Sequence, residues 1–338
     1  MTAPPTATPA IDDAPEPLPL APSIDRLMEL AVAPSWSRLG PAVRRHLFRW
    51  DAQPDPRLDG RVVVLTGATS GIGLAAAHRL AASGATLHLV GRNPEKLGGC
   101  AEAMQAMGAS VLTSVADLGD LDDVRRLAQE LADTHRTVDV LAHNAGALLR
   151  SWTTSPQGIE ATVATQVLGP FLLTALLLPQ LEAAGGARVL TMSSGGMHAQ
   201  RLSVDALDAG PEGYRGAVAY ARAKRAQVEL VGEWRRRGPE SVAFHALHPG
   251  WVDTPGLTSG LPTFQRLARP ALRTPDEGAD TLVWLAGAPE EQLGPNGGFW
   301  LDRRRRATHK VPTTHAPAGE AARLWDWCVA RTGALAPR

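Results

Sequence analysis

The sequence is poor in several things, and each scarcity excludes something. It has two cysteines, Cys100 and Cys328, far apart in the chain. Two lone thiols make no disulfide framework; they fit a reducing compartment and read as small buried hydrophobes. No charge dominates, since 34 Lys and Arg balance 34 Asp and Glu. A nucleic-acid partner would leave a basic footprint, so none is expected. The longest apolar run, Val167 to Leu178, is too short for a bilayer and is broken by Gly169, Pro170 and Thr174. The chain does not open on a basic segment followed by an apolar one, so no secretory signal is expected and the cytoplasm is the expected location. His143, His245, His248, His309 and His315 lack metal-ligand spacing such as His-Glu-x-x-His, so no metal site is expected.

What is present divides into pieces. Residues 1–22 are rich in Pro, Ala and Thr with acids at Asp12, Asp13 and Glu16, the composition of a disordered tail. Residues 23–58 form a helical extension, interrupted near Pro34 and Pro41, in which Leu27, Leu30, Leu39, Leu47 and Phe48 mix with Arg38, Arg44, Arg45 and Arg49. It either packs on the main body or, through residues 23–50, lies on a membrane surface or a partner. Residues 59–311 alternate short apolar runs with helical stretches. The strands expected are Val62–Leu65, Thr86–Val90, Ser110–Ser114, Val138–Ala142, Ala187–Met192 and Val242–Leu247. The helices expected are Leu74–Leu80, Pro94–Met107, Leu121–Asp133, Ile159–Ala183 and Ala217–Arg237. Continuous apolar strands alternating with helices predict a single α/β domain, a Rossmann-type doubly wound parallel sheet. A C-terminal helical tail, 312–338, follows.

Strand Val62–Leu65 runs into Thr66-Gly67-Ala68-Thr69-Ser70-Gly71-Ile72-Gly73, and a helix comes next. Glycines at a strand end let the backbone turn sharply and approach a pyrophosphate, which the free N–H groups of the helix then bind. Further on, Tyr220 and Lys224 stand four apart, on one helix face. A phenol ordinarily titrates near pH 10, too high for proton transfer near neutrality, and a neighbouring ammonium is expected to lower it.

The spacing Thr-Gly-x-x-x-Gly-x-Gly, with Asn144-Ala145-Gly146, a Ser after strand Ala187–Met192 and the Tyr220/Lys224 pair, resembles the short-chain dehydrogenase/reductase family. The resemblance spans roughly Gly60 to His309. The segments Ser193–Met197, His248–Gly256, Glu277–Thr281, Asp302-Arg303 and Thr308-His309 are similar to its retinol-dehydrogenase-like branch, in particular the member-12 dehydrogenase/reductase type. The resemblance implies hydride transfer between a nicotinamide and a carbonyl or alcohol carbon, with Ser194 (or, second choice, Ser193) holding the substrate oxygen. Tyr220 would be the proton donor, and Lys224 would hold the nicotinamide ribose. A family proton relay uses Asn where Gln166 stands here; Gln166 either serves the relay or alters it. Cofactor contacts are implied for Gly67, Thr69, Ser70, Gly71, Ile72, Gly73, Asp117, Leu118, Asn144, Ala145, Gly146, Tyr220, Lys224, Pro249, Gly250, Val252 and Thr254.

The second strand ends Val90-Gly91-Arg92-Asn93, without the acid that holds a ribose 2′-hydroxyl. Arg92 offers a fork for a 2′-phosphate, so NADP(H) is expected over NAD(H). Thr258–Arg273 reads as a mobile lid, with Leu257, Leu261, Phe264 and Leu267 either forming an apolar inner face or simply packing. The lid suggests a hydrophobic small-molecule carbonyl or alcohol. The run Arg303–Arg306 is either solvated surface or a meeting point for an acidic group. A homodimer or homotetramer through Ile159–Ala183 and Ala217–Arg237 is implied by the family. The alternative is a weak or inactive NADP(H)-binding regulatory or scaffold protein of the same fold.

Overall fold

A computed structural model describes residues 16–53 and 55–334. Most of the tail expected over 1–22 lies outside them. Eight strands form one sheet in the order β3-β2-β1-β4-β5-β6-β7-β8. They are β1 (Val62–Thr66), β2 (Thr86–Gly91), β3 (Val111–Val115), β4 (Val140–His143), β5 (Ala187–Met192), β6 (Val242–Leu247), β7 (Phe299–Leu301) and β8 (Arg304–Arg305). β1 to β7 are parallel, and β8 turns back antiparallel on β7. The expected doubly wound fold is therefore present. The strand order reverses between β1 and β4, where such folds bind ligands beyond the carboxyl ends of the strands.

Helices cover both faces. One core holds Leu80, Leu97, Met104, Leu282 and Trp284 beneath helices Gly71–Ala82, Pro94–Gln105 and Pro275–Gly287. The other holds Leu127, Phe171, Leu172, Trp234 and Trp325 beneath Leu121–Thr134, Ala161–Ala183, Gly216–Arg237 and Glu320–Thr332. Ala161–Ala183 is long and apolar enough to cross a membrane, but most of its apolar stretch is buried here, as befits a core helix. The helix expected at Leu74 begins earlier, at Gly71, because the glycine turn itself supplies its first residues. β7 and β8 escaped the sequence reading: three and two residues are too short to show a period.

The N-terminal extension packs on the main domain. Its helices are Ala21–Leu30, Ala33–Trp36 and Leu39–Leu47. Arg44, fully buried, donates to Asp25 at 2.7 Å and to Asp302 at 2.5 Å. Asp302 also receives Arg273 at 2.6 and 2.9 Å. Of the run Arg303–Arg306, read as either solvated surface or a meeting point for an acidic group, three members belong to this joint. Arg303 is held by Asp280 and lies over Trp50, Arg304 lies 4.4 Å from the Phe48 ring centre, and Arg306 pairs with Asp25 at 2.8 Å. Arg305 faces the other way, over Trp300. Leu20, Leu27 and Leu30 stay exposed on the outer side of the first helix.

The C-terminal tail is also part of the core. Trp325 packs edge-on to Phe171 and Trp234, at 5.0 and 4.7 Å between ring centres, and Cys328 is buried. The chain's own last helix thereby covers part of the two helices expected to pair with another copy. The segment Val204–Asp208, between Ser194 and Tyr220, is mated to it: Glu320 accepts from the Val204 N–H at 2.7 Å, and Arg323 and Arg331 reach Asp205 and Asp208.

Candidate active site

The glycine turn has a backbone that side chains would break. Gly67 has φ +71°, and a Cβ there would stand 2.8 Å from the Ala145 Cα. A Cβ on Gly73 would stand 2.1 Å from the Gly67 carbonyl oxygen and 2.5 Å from the Asn144 amide nitrogen. Ser70 occupies the position before helix Gly71–Ala82, yet its side chain caps nothing. The first-turn N–H groups thus have no side-chain cap and face outward beyond β1, the donor set that a pyrophosphate needs. Thr69 packs against Gly91, and Ile72 and Val252 both close on Gly278, which leaves them room.

Asn144-Ala145-Gly146 is tied to this turn. The Asn144 amide donates to the carbonyls of Thr66 and Gly67 at 3.1 and 3.2 Å, and Thr66 Oγ1 accepts from the N–H groups of Asn144 and Ala145. At the tip of β2, Arg92 is exposed and stands 3.9 Å from Asp117. Asp117 accepts from the Gly119 N–H, and Leu118 is buried against Gly169. Thr254 touches the Gly71 position at 3.2 Å, so the lid root meets the glycine turn. Pro249 and Gly250 follow β6; Gly250 has φ +81° and abuts Arg273 and the Trp36 carbonyl.

The two candidate serines separate. Ser193 is buried, and its hydroxyl donates to the Lys224 carbonyl at 2.9 Å, a main-chain brace. Ser194 is half-buried at the carboxyl end of β5, beside the Tyr220 hydroxyl. Lys224 Nζ lies 5.3 Å from the Tyr220 ring centre and donates to the Met192 carbonyl at 2.8 Å. Burial lowers the Lys224 ammonium to about 7. The expectation that Lys224 lowers the phenol is corrected: burial pushes Tyr220 above its ordinary value, and the opposing pull comes from Ser194. The ammonium sits against a carbonyl and the face of the ring, and burial penalises charge on both groups.

Gln166 lies in a π-helical turn, Ala164–Leu168. Pro170 offers no N–H to the Gln166 carbonyl, so the helical ladder opens there. The Gln227 amide fills the gap, donating to that carbonyl at 2.7 Å. The Gln166 side chain donates to the Ala147 carbonyl at 2.8 Å, and its own Oε1 is buried without a partner. No hydrogen bond joins Gln166 to Lys224. Gln227 was missed from the sequence; its only signal is its place one turn beyond Lys224 on the same helix.

The lid is mixed. Helices Pro255–Gly260 and Pro262–Ala268 form it. Phe264 packs edge-on to Trp251 and Gly260 is buried against Leu148, but Leu267 is 79% exposed. The expected lid boundary is also too long: Leu272 and Arg273 are buried, Arg273 in the joint with Asp302.

A mostly parallel sheet with a glycine turn at its reversal point, and a serine, tyrosine and lysine gathered at the carboxyl end of β5, two strands away, defines a nucleotide-binding enzyme fold. The chain belongs to the short-chain dehydrogenase/reductase family, a family of oxidoreductases: the short chain dehydrogenase family model matches residues 61–262. It is 37% identical to dehydrogenase/reductase SDR family member 12 of Bos taurus over 78% of this chain and 84% of that one. It is 40% identical over 83% of this chain and 95% of the relative to a Streptomyces protein provisionally named a daunorubicin C-13 ketoreductase. Among solved structures, an Escherichia coli protein described as a candidate short-chain dehydrogenase complexed with NADPH matches with TM-score 0.59 and 26% identity, covering 73% of this chain and 98% of that one.

Proposed function

We propose that this chain is an NADP(H)-dependent oxidoreductase that moves a hydride between nicotinamide and the carbonyl or alcohol carbon of an apolar small molecule. The observation that carries the reading is the meeting of Ser194, Tyr220 and Lys224 at the carboxyl end of β5, on the edge of the sheet that carries the glycine turn. The uncapped helix start and the glycine cradle fit a dinucleotide pyrophosphate, and the exposed Arg92 fits a ribose 2′-phosphate. When bound, the nicotinamide supplies or accepts the hydride. Tyr220 gives its phenolic proton to the carbonyl oxygen in reduction and takes it back in oxidation. Ser194 donates to the same oxygen as negative charge develops, a contribution of about 3 kcal/mol in comparable sites. Lys224, brought to about 7 by burial, holds or releases a proton near neutrality beside the phenol.

The test is a titration with NADPH and NADH followed by a panel of apolar carbonyls and alcohols read at the nicotinamide absorbance. Turnover with tighter binding of NADPH is expected. Tyr220→Phe is expected to lose turnover at least ~100-fold, the usual contribution of a positioned proton donor, while still binding NADPH. Arg92→Ala is expected to erase the preference for NADPH. Full activity in Tyr220→Phe overturns the mechanism. A second reading, a nucleotide-binding protein with weak turnover, is favoured by one observation: the Gln166 carbonyl is taken by Gln227 and its side chain by Ala147. Binding without turnover across the panel supports it.

A further inference from the structure

The N-terminal extension does more than cover the sheet edge. Its second helix ends at Trp36, which is buried, and the Trp36 carbonyl accepts from the Trp251 N–H at 2.8 Å and from Arg273 Nε at 3.0 Å. Those bonds fix the main chain beside Pro249–Trp251. The indole then reaches the other side of the site. Its six-membered ring lies on Gly195, next to Ser194, so closely that a Cβ on Gly195 would stand 2.3 Å from a ring carbon. His198 and His248 enclose the same ring, at 5.6 and 4.8 Å between centres. On its far side the Gly195–Ala199 turn is held by Arg225, which donates to the carbonyls of Met197 and Gln200. Gly196 faces Ala221, the neighbour of Tyr220. The segment carrying Ser194 is thus gripped between the Tyr220 helix and a tryptophan from outside the sheet domain.

We propose that Trp36 is a positioning residue for Ser194: its indole braces the Ser194–Gly195 main chain and sets where the Ser194 hydroxyl stands. The task given to Ser194 rests on the oxidoreductase reading above. A tryptophan that only filled space would make the same contacts with any main chain; this one requires glycine at the residue after Ser194. Trp36 therefore makes the extension part of the site wall.

The experiment is a cycle of Trp36→Ala, Gly195→Ala and the double variant, with Trp36→Phe as the conservative control and a crystal structure of Trp36→Ala. Displacing a reacting group by about 1 Å costs on the order of 100-fold, so a kcat loss of roughly 10- to 100-fold is expected for Trp36→Ala, with most of the rate kept in Trp36→Phe. The main-chain bonds to Trp251 and Arg273 survive the substitution, so NADPH affinity is expected to hold. Gly195→Ala alone is expected to lose activity through the clash and to lose nothing further when Trp36 is already Ala. The crystal structure is expected to show Ser194 moved away from Tyr220. Penalties that multiply, or Ser194 found in place, overturn the proposal. If the wild-type chain turns over none of the panel, the oxidoreductase reading fails, while the position of Ser194 in Trp36→Ala still decides this one.

Discussion

The two halves of the site are built in different ways. On the nucleotide side, backbone does the work: Gly67, Gly73 and Asn144 form a compact turn, with contacts between β1 and its neighbour β4. On the side where the N-terminal extension joins the domain and Trp36 meets the Ser194 segment, long side chains from remote parts of the sequence meet. Arg44 and Asp302 are 258 positions apart, Arg273 joins them, and Trp36 reaches Gly195. A backbone device depends on few residue types and tolerates no other. A side-chain joint depends on charge and volume being matched in burial. The halves should therefore fail differently: the first by losing its ligand, the second by losing its fold.

The sharpest test of that contrast is Asp302→Asn. Asp302 is buried and faces two guanidinium groups, those of Arg44 and Arg273, that are themselves 0% and 1% exposed. Removing one partner of a buried ion cluster costs about 3–5 kcal/mol, because the remaining charges keep their desolvation penalty. Urea unfolding should show that loss, with early proteolysis near the extension. Asp122→Asn, which removes an exposed pair with Arg125, should leave stability unchanged. Equal stability in the two variants breaks the idea that the joint holds the extension.

Gly67→Ala tests the other half. The residue has φ +71°, and its new Cβ would meet the Ala145 main chain at 2.8 Å. Strain of this kind costs about 1–3 kcal/mol, less than the ion cluster. NADPH binding, measured by fluorescence titration, should nevertheless suffer more than in Asp302→Asn at a temperature where both are folded. A Gly67→Ala chain that binds NADPH as well as wild type breaks the contrast.

This difference also explains what could be read in the sequence. β5 and β6 were legible to the residue, since Ala187–Met192 and Val242–Leu247 are almost wholly buried and mainly apolar, broken only by Arg188, Thr191 and His245. The glycine turn, Asn144-Ala145-Gly146 and the Tyr220/Lys224 pair were legible because each is local. Arg303–Arg306 was left open between solvated surface and an acidic partner for the opposite reason. Nothing within the run says that Asp25, Asp280, Phe48 and Trp50 will meet it. Trp36 carried no signal either, because its partner is a glycine that is remote in sequence. The Tyr220 titration was misjudged because spacing along a helix gives a neighbour's charge but not the burial that opposes it.

The smallest effect concerns both halves at once. His88 in β2 and His245 in β6 are held at about 4, and His143 in β4 and His198 beside Trp36 at about 3, all by burial. Each is neutral in the folded chain and ordinary, near 6.5, once unfolded. Above pH 6.5 neither state gains a proton and these histidines cost nothing. As pH falls from about 6.5 towards about 4, the unfolded chain takes up protons that the folded chain refuses, so stability falls. Each histidine contributes at most about 1.4 kcal/mol per pH unit. The unfolding free energy should therefore slope downward through that window, and in its upper part, above about pH 5.5, the histidines act before most carboxylates titrate. His143→Asn removes one such group, deep in the sheet with its Nε2 bonded to Thr174 at 2.8 Å, and should flatten the slope by about one proton. A wild-type slope that is flat between pH 6.5 and 4, or one that His143→Asn leaves untouched, would mean that these rings accept protons without unfolding, and that acid spares the sheet and the Trp36 wall alike.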